Sequence, residues 1–417
     1  MRLDLRPGNH VQLLENGEQF YPAVFEAIGA AREEVLIETF ILFDDEVGRS
    51  LQRVLIETAG RGVRIDLTVD GYGSADLPPE FIGALTAAGV RFHVFDPIPR
   101  LPFGLRTNLL RRLHRKLVAI DARVAFVGGI NYSADHLLSF GPMAKQDYAV
   151  RIEGPLAVDI RAFASEALAP TRRRHGWGRI RRGRPATDPA LRVGDAEAAF
   201  VTRDNRRHRD DIERVYRAAL RSAREEIVIA NAYFFPGWRL LRDMVRAARR
   251  GVRVRLILQG EPDMAWVRVA ARMLYRSLIR DGVQIYEYCK RPLHGKVAVF
   301  DGRWSTVGSS NLDPLSLSLN LEANVVVDHA GFAAELGERL EELRREHCRL
   351  IRLEHLPRRT WWRYLLGALT FHVVRRFPAW LQRLPGRVAR IRSFDRQRGV
   401  ETVSAHERAE PVGDGRR

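Results

Sequence analysis

His114-Arg115-Lys116 is followed by Asp121, and His294-Gly295-Lys296 by Asp301, so the chain carries the pattern H-x-K-x4-D twice. Each copy runs on into a short element ending in asparagine, Gly129-Ile130-Asn131 and Ser309-Ser310-Asn311, with the same 17 residues from His to Asn. An imidazole acts as nucleophile or general acid near neutral pH, and two facing imidazoles can hold opposite protonation states. Lys and Asn would supply charge and hydrogen bonds to the non-bridging oxygens of a phosphodiester as its pentacoordinate transition state develops. The chain has 64 arginines but only four lysines, Lys116, Lys145, Lys290 and Lys296, and two of the four occupy the same place in the two motifs. A compact ammonium, rather than a planar fork, is wanted there. Either motif alone reads equally well as an ordinary core hairpin, and it is the repetition that points to chemistry.

The elements that must position these groups are two β-hairpins. A turn at 121–124 sets His114 opposite Asn131 and Lys116 opposite Gly129. A turn at Asp301-Gly302 sets His294 opposite Asn311 and Lys296 opposite Ser309. Strand alternation puts His and Lys on one face and leaves Asp121 and Asp301 at the turns. Neither hairpin holds both histidines, so this chemistry requires the two halves to meet face to face. The second ring nitrogen of each histidine also needs an orienting acceptor. Asp147 and Glu322, 33 and 28 residues beyond the histidines, stand in strand-like runs and are either those acceptors or surface carboxylates. Their apolar flanks favour the first reading.

The hairpins sit inside a diverged internal repeat. AREEVLIETFILF from Ala31 matches AREEIVIANAYFF from Ala223, GVRIDLTVD from Gly62 matches GVRVRLILQG from Gly251, and GVRFHVF from Gly89 matches GVQIYEY from Gly282. The offset falls from 192 residues at the first strand to 180 at the motif, which assigns the extra residues of the first half to the stretch near Leu101 to Arg112. Alternating strand-like and helix-like segments predict an α/β fold with a mostly parallel sheet flanked by helices in each half. The expected organisation is a first half at 1–169, a basic linker at 170–195, a second half at 196–350, a basic aromatic segment at 351–390 and a disordered tail at 391–417.

Composition narrows the function classes. A chain of 417 residues with 46% hydrophobic residues can bury two sizeable cores. The formal charge of +17 implies an anionic partner, nucleic acid or an anionic membrane surface, and does not choose between them. Two cysteines, Cys289 and Cys348, make neither a disulfide framework nor a zinc site and point to a reducing compartment. No leader-like segment and no apolar run of spanning length is present, so membrane contact is expected to be peripheral. Pro357 to Leu384 mixes Trp, Phe and Leu with Arg and reads either as a lipid-interface segment or as a helix packed on its own domain. LPFGLRTNLLRRL, just before the first motif, is a second candidate for lipid contact or else a charged loop at the mouth of the site.

The two H-x-K-x4-D runs with their G-[GS]-x-N continuations resemble the phospholipase D superfamily. LLENGEQFYPAVFEAI, ETFILFDDEVGRSL, DGYGS and GSSNLDPLSLSLNLEANV are similar, over about residues 8 to 350, to bacterial cardiolipin synthases of the type without N-terminal transmembrane helices. The resemblance implies two phospholipase D-like halves packed as a pseudo-dimer around one shared site, with no cofactor and no metal. It implies transphosphatidylation, with His114 as the nucleophile forming a phosphohistidine, His294 as the acid for the leaving group, and Asp121 and Asp301 in structural roles. Ser309-Ser310 stands where the first half has Gly129-Ile130, a variation the family tolerates. The implied partners are phospholipid substrates and an anionic membrane surface at the cytoplasmic face of the bacterial inner membrane, without nucleic acid or an obligate protein partner. The same half-sites also serve hydrolysis by water, as in a phospholipase D, or cleavage of nucleic acid. A non-enzymatic scaffold with relict half-sites is the remaining alternative.

Overall fold

The repeated apolar runs become the strands of two matching units. The structure, a computed structural model, describes residues 3–97, 111–168, 191–205, 207–260, 265–356, 390–395 and 399–404. In the first half β1 (Arg6–Glu15), α1 (Asn16–Gly29), β2 (Glu34–Thr39), α2 (Glu46–Gly60), β3 (Arg64–Asp70), α3 (Pro79–Ala87) and β4 (Arg91–Phe95) lead to β5 (Leu117–Ile120), β6 (Val124–Gly128), β7 (Tyr148–Glu153) and α4 (Pro155–Leu168). The second half repeats this as β8 (Ala196–Arg203), α5 (Asp211–Ser222), β9 (Glu226–Asn231), α6 (Trp238–Arg249), β10 (Arg253–Gln259), α7 (Ala265–Arg280), β11 (Gln284–Tyr288), β12 (Lys296–Phe300), β13 (Trp304–Gly308), α8 (Pro314–Ser318), β14 (Glu322–Asp328) and α9 (Ala330–His347). β15 (Cys348–Ile351) and a hairpin of β16 (Arg390–Asp395) and β17 (Gly399–Ser404) follow.

Each half is α/β, but its sheet is mixed. Parallel pairing is confined to β2, β3 and β4, and to β9, β10 and β11, where helices make the crossovers. The motif hairpins have turns too short for a crossover, so β5, β6, β7 and β1 continue the sheet antiparallel, as do β12, β13, β14 and β8 in the other half. β1 and β8 meet at Arg6↔Ala198 and Asn9↔Ala196, joining the halves into one sheet of 17 described strands.

The hairpin register differs by one residue from the expected one. Leu117 pairs with Val127 and Ile120 with Val124, while Val297 pairs with Val307 and Phe300 with Trp304. The cause is a three-residue turn in each, with Asp121 and Ala122 at φ 50° and 54° and Asp301 and Gly302 at φ 50° and 60°. Lys116 therefore lies opposite Gly128, whose N–H reaches the Lys116 carbonyl at 3.3 Å, and not opposite Gly129. The histidines and asparagines fall just outside the paired strands.

The turn aspartates fasten each hairpin to the start of the repeat. Asp121 accepts the backbone N–H groups of Arg32, Glu33 and Glu34 at 2.8, 2.9 and 2.8 Å. Asp301 accepts those of Arg224, Glu225 and Glu226 at 2.9, 2.9 and 3.0 Å. The matching AREE runs are thus the N–H donors for the matching Asp residues. Among the described residues three large apolar cores result, beside a small cluster at Phe95 and Leu113. One lies on the outer side of each sheet, and a central one draws on both halves and on α4 and α9, with Val150, Ile160, Val325, Leu336 and Leu340 all buried.

The disordered tail expected from residue 391 is corrected in part. β16 pairs antiparallel with β4, Phe394 opposite Phe92 and Ile391 opposite Phe95, and the Phe92 and Phe394 rings meet at 6.3 Å. β16 covers what is otherwise the open edge of β4. Residues 170–190 of the linker expected at 170–195, most of LPFGLRTNLLRRL and the segment Pro357 to Leu384 lie outside the described residues. Among the described residues no helix is long and apolar enough to cross a membrane.

Candidate active site

The approach to each motif docks on the opposite half. Leu113 makes a β-bridge with Leu321, next to Glu322, and Leu293 makes one with Gln146, next to Asp147. The His114 N–H donates to the Leu321 carbonyl at 2.9 Å and the His294 N–H to the Gln146 carbonyl at 2.8 Å. Each histidine is thereby set beside the carboxylate of the other half. His114 Nδ1 lies 3.0 Å from Glu322 Oε2, and His294 Nδ1 lies 2.5 Å from Asp147 Oδ2. A carboxylate accepts, so each Nδ1 donates and Nε2 is the nitrogen left for chemistry. Both carboxylates stand at the expected positions, but they are exchanged between the halves.

The small residues at 129 and 309 make room for those acids in two different ways. A Cβ on Gly129 would sit 2.3 Å from Asp147 Oδ1, so the Asp147 carboxylate occupies the space of a side chain. In the second half Ser309 Oγ donates instead to Glu322 Oε2 at 2.5 Å. Lys116 Nζ donates to the His114 carbonyl at 2.8 Å, and Lys296 Nζ to that of His294. Both lysines are buried. Asn131 uses its side-chain oxygen to hold the Ile41 N–H at 3.1 Å, whereas Asn311 Oδ1 is buried without a hydrogen bond. Asn131 thus secures a loop, and Asn311 keeps a free acceptor. The histidine side chains are 12% and 15% exposed, largely buried but not sealed from solvent.

Sequence reasoning missed His136. Its ring meets that of His294 edge to face, with centroids 5.5 Å apart, and the residue is fully buried. The Asn131 N–H donates to His136 Nε2 at 3.3 Å, which leaves the ring proton on Nδ1, 3.9 Å from Asp147 Oδ2 and without a hydrogen-bond partner. His114 has Phe40 in the comparable place, at 5.0 Å between centroids. The only hint in the sequence is a lone histidine five residues after Asn131, with Ser316 at the matching position of the second half.

The electrostatics follow from burial. Desolvation pushes Lys116 down to about 7 and Lys296 down to about 8. Desolvation also lowers both histidines, His294 well below the ordinary range because Lys296, Lys145 and Lys116 add to the effect, and His114 less because Glu322 opposes it. Burial raises Asp147, whereas at Glu322 the same burial is outweighed by His114, Lys116 and the Ser309 hydroxyl, and the acid is lowered. Among the described residues His136, Asp147 and His294 are the one group whose donor atoms, all within 4.8 Å, come close enough to hold a metal ion. The 2.5 Å between His294 and Asp147 is nonetheless a hydrogen-bond distance, too short for two ligands of one tetrahedral ion with bonds of about 2 Å.

Comparison with known proteins bears on the family and the fold. A family profile described as "Cardiolipin synthase, PLD-like domain" matches residues 24–160 and 216–344, one stretch in each half. Cardiolipin synthase B of Escherichia coli (strain K12) is 52% identical over 416 residues, covering 100% of this chain and 99% of that one. Cardiolipin synthase B of Salmonella typhimurium is 55% identical over 388 residues, covering 92% of both chains. Among solved structures, phosphatidylserine synthase of Haemophilus influenzae superposes with a TM-score of 0.67, covering 89% of this chain and 94% of that one at 13% identity, a likeness of fold alone.

Proposed function

The chain belongs to the cardiolipin synthase family of phospholipase D-like proteins, and from that premise we propose that it joins two phosphatidylglycerol molecules into cardiolipin and glycerol. It is a phosphatidyltransferase, acts on phospholipids and works at a membrane. The observation that carries the mechanism is the crossed pairing, which completes one site from two half-sites.

His114 Nε2 attacks the phosphorus of the first phosphatidylglycerol. A P–N bond forms, the P–O bond to the headgroup glycerol breaks, and His294 Nε2 gives its proton to the departing alkoxide. The headgroup hydroxyl of a second phosphatidylglycerol then attacks the phosphatidyl-His114. His294 takes that hydroxyl's proton, and the P–N bond breaks to release cardiolipin. Glu322 keeps the His114 proton on Nδ1, so that Nε2 presents a lone pair, and Asp147 stabilises the imidazolium of His294. Lys116 and Lys296 through Nζ, and Asn131 and Asn311 through Nδ2, are the proposed donors to the phosphoryl oxygens, and Asp121 and Asp301 hold the hairpins.

Charge balance explains when His294 is protonated. In the empty site two lysines, whose charge burial weakens, face two carboxylates, and burial also disfavours a charge on either imidazole. A bound phosphodiester adds one negative charge, which favours a proton in the site, and Asp147, 2.5 Å from His294 Nδ1, holds the resulting imidazolium. The cytoplasmic face of the inner membrane is the proposed location, since two cysteines in 417 residues do not make the disulfide framework that an oxidising compartment favours. The test is to incubate purified protein with labelled phosphatidylglycerol in EDTA. Cardiolipin and glycerol are expected. Phosphatidic acid alone would overturn the synthase reading and leave a hydrolase built on the same half-sites.

A further inference from the structure

The loop at 137–146 begins and ends at one catalytic candidate. At its start the His136 ring packs on His294, and at its end Gln146 takes the His294 N–H while Asp147 takes its Nδ1–H. Between these buried ends, residues 138–143 read Leu-Ser-Phe-Gly-Pro-Met, and every one is exposed. Leu138, Phe140 and Met143 are 58%, 52% and 58% exposed, three of the five described large apolar side chains that are more than half exposed. Single exposed apolar residues are ordinary on a protein surface, but three on one six-residue stretch are not.

The stretch is also fixed. Lys145 pairs with the Asp135 carboxylate and donates its N–H to the Asp135 carbonyl at 2.7 Å, closing the loop at its base. Backbone bonds from Phe140 to Leu137 at 3.0 Å and from Ala144 to Gly141 at 2.9 Å form its turns, and the Leu138 N–H donates to Glu18 at 2.5 Å. Gly141 bends the tip at φ +80°, with open space around it. Apolar side chains held outward on a fixed turn suit a fluid apolar phase, and the net charge of +17 suits an anionic surface.

We propose that residues 138–143 are an interfacial anchor that inserts Leu138, Phe140 and Met143 into an anionic phospholipid bilayer, holding the mouth of the site at the headgroup level. The proposal rests on the lipid-enzyme reading above and names the surface that meets the membrane. A Phe140→Trp variant of the full chain, mixed with vesicles of phosphatidylglycerol and phosphatidylcholine, is expected to shift its emission to the blue and to be quenched by brominated acyl chains. The parent chain's own tryptophans supply the baseline. The triple variant Leu138→Ser/Phe140→Ser/Met143→Ser is expected to lose about tenfold in vesicle binding and in turnover on vesicles. Its turnover of dispersed short-chain phosphatidylglycerol should stay within about twofold of the parent. If the emission added by Phe140→Trp does not move and the triple variant binds vesicles like the parent, the anchor is overturned. A change in oligomeric mass of the triple variant overturns it too, and would assign the patch to a second copy of the chain. Cardiolipin formation by a Phe140→Trp variant whose added emission stays unmoved sinks the anchor alone. Quenching without lipid turnover sinks the synthase reading alone.

Discussion

Each histidine depends on a carboxylate from the opposite half, and this makes the residue scale directly testable. Glu322→Gln is expected to move the ring nitrogen resonances of His114 and leave those of His294, while Asp147→Asn and His136→Ala move those of His294. A spectrum in which each acid tunes the histidine of its own half would contradict the crossed pairing. His114→Ala and His294→Ala are each expected to lower transfer about a thousandfold or more in the labelled-lipid assay, within the range of acid–base and nucleophilic catalysis. The lysines give a pH prediction with a definite sign. Lys116 near 7 and Lys296 near 8 are largely neutral in the empty site above those values, and a bound phosphate raises both. Binding of inorganic phosphate at about pH 8.5 should therefore take up protons, read as a dependence of the calorimetric heat on the buffer's ionisation enthalpy. The lysines' share of that uptake should fade below about pH 6.5, where both are already charged, leaving only the uptake by the buried imidazoles.

At the scale of elements, each hairpin is held to the start of its repeat by its turn aspartate and not by the proposed catalytic groups. Asp301→Ala strands three N–H groups at the start of β9 and should cost roughly 2 kcal/mol, discounted because the carboxylate is only partly buried. Urea unfolding measures the loss, and turnover per folded molecule should change little. A large fall in turnover at unchanged stability would make Asp301 part of the chemistry. The H-x-K-x4-D pattern, its turn and the strands around it were legible because alternation and turn residues are local signals. The register was not, because a three-residue turn with two left-handed residues and a four-residue turn look alike when the first residue is Asp in both.

At the scale of the molecule, the two halves share one sheet and one central core. Val150 and Ile160 of the first half and Val325, Leu336 and Leu340 of the second are buried in the same cluster. The chain should therefore unfold in a single calorimetric transition, with van 't Hoff and calorimetric enthalpies in agreement. Two separated transitions would show that the halves are independent domains and that the site depends on docking. The edge strand β16 is the exception to the repeat, since it lies against β4 in the first half although it comes from the far end of the chain.

The sequence by itself determined the repeat, the paired motifs and the α/β class, because each is written in local spacing and duplicated, and it offered Asp147 and Glu322 as orienting acids with surface carboxylates as the alternative. It also determined that the halves must meet, since neither motif holds both histidines. Only the tertiary structure decided which acid serves which histidine. That choice is made by the β-bridges Leu113↔Leu321 and Leu293↔Gln146, which form across the interface between residues far apart in the chain. The same holds for His136, whose partners Asn131, Asp147 and His294 come together only when the second motif packs on the first half. Pairing across a pseudo-symmetric interface leaves no periodic trace in a single sequence, so the crossed arrangement was open until the halves were seen in contact.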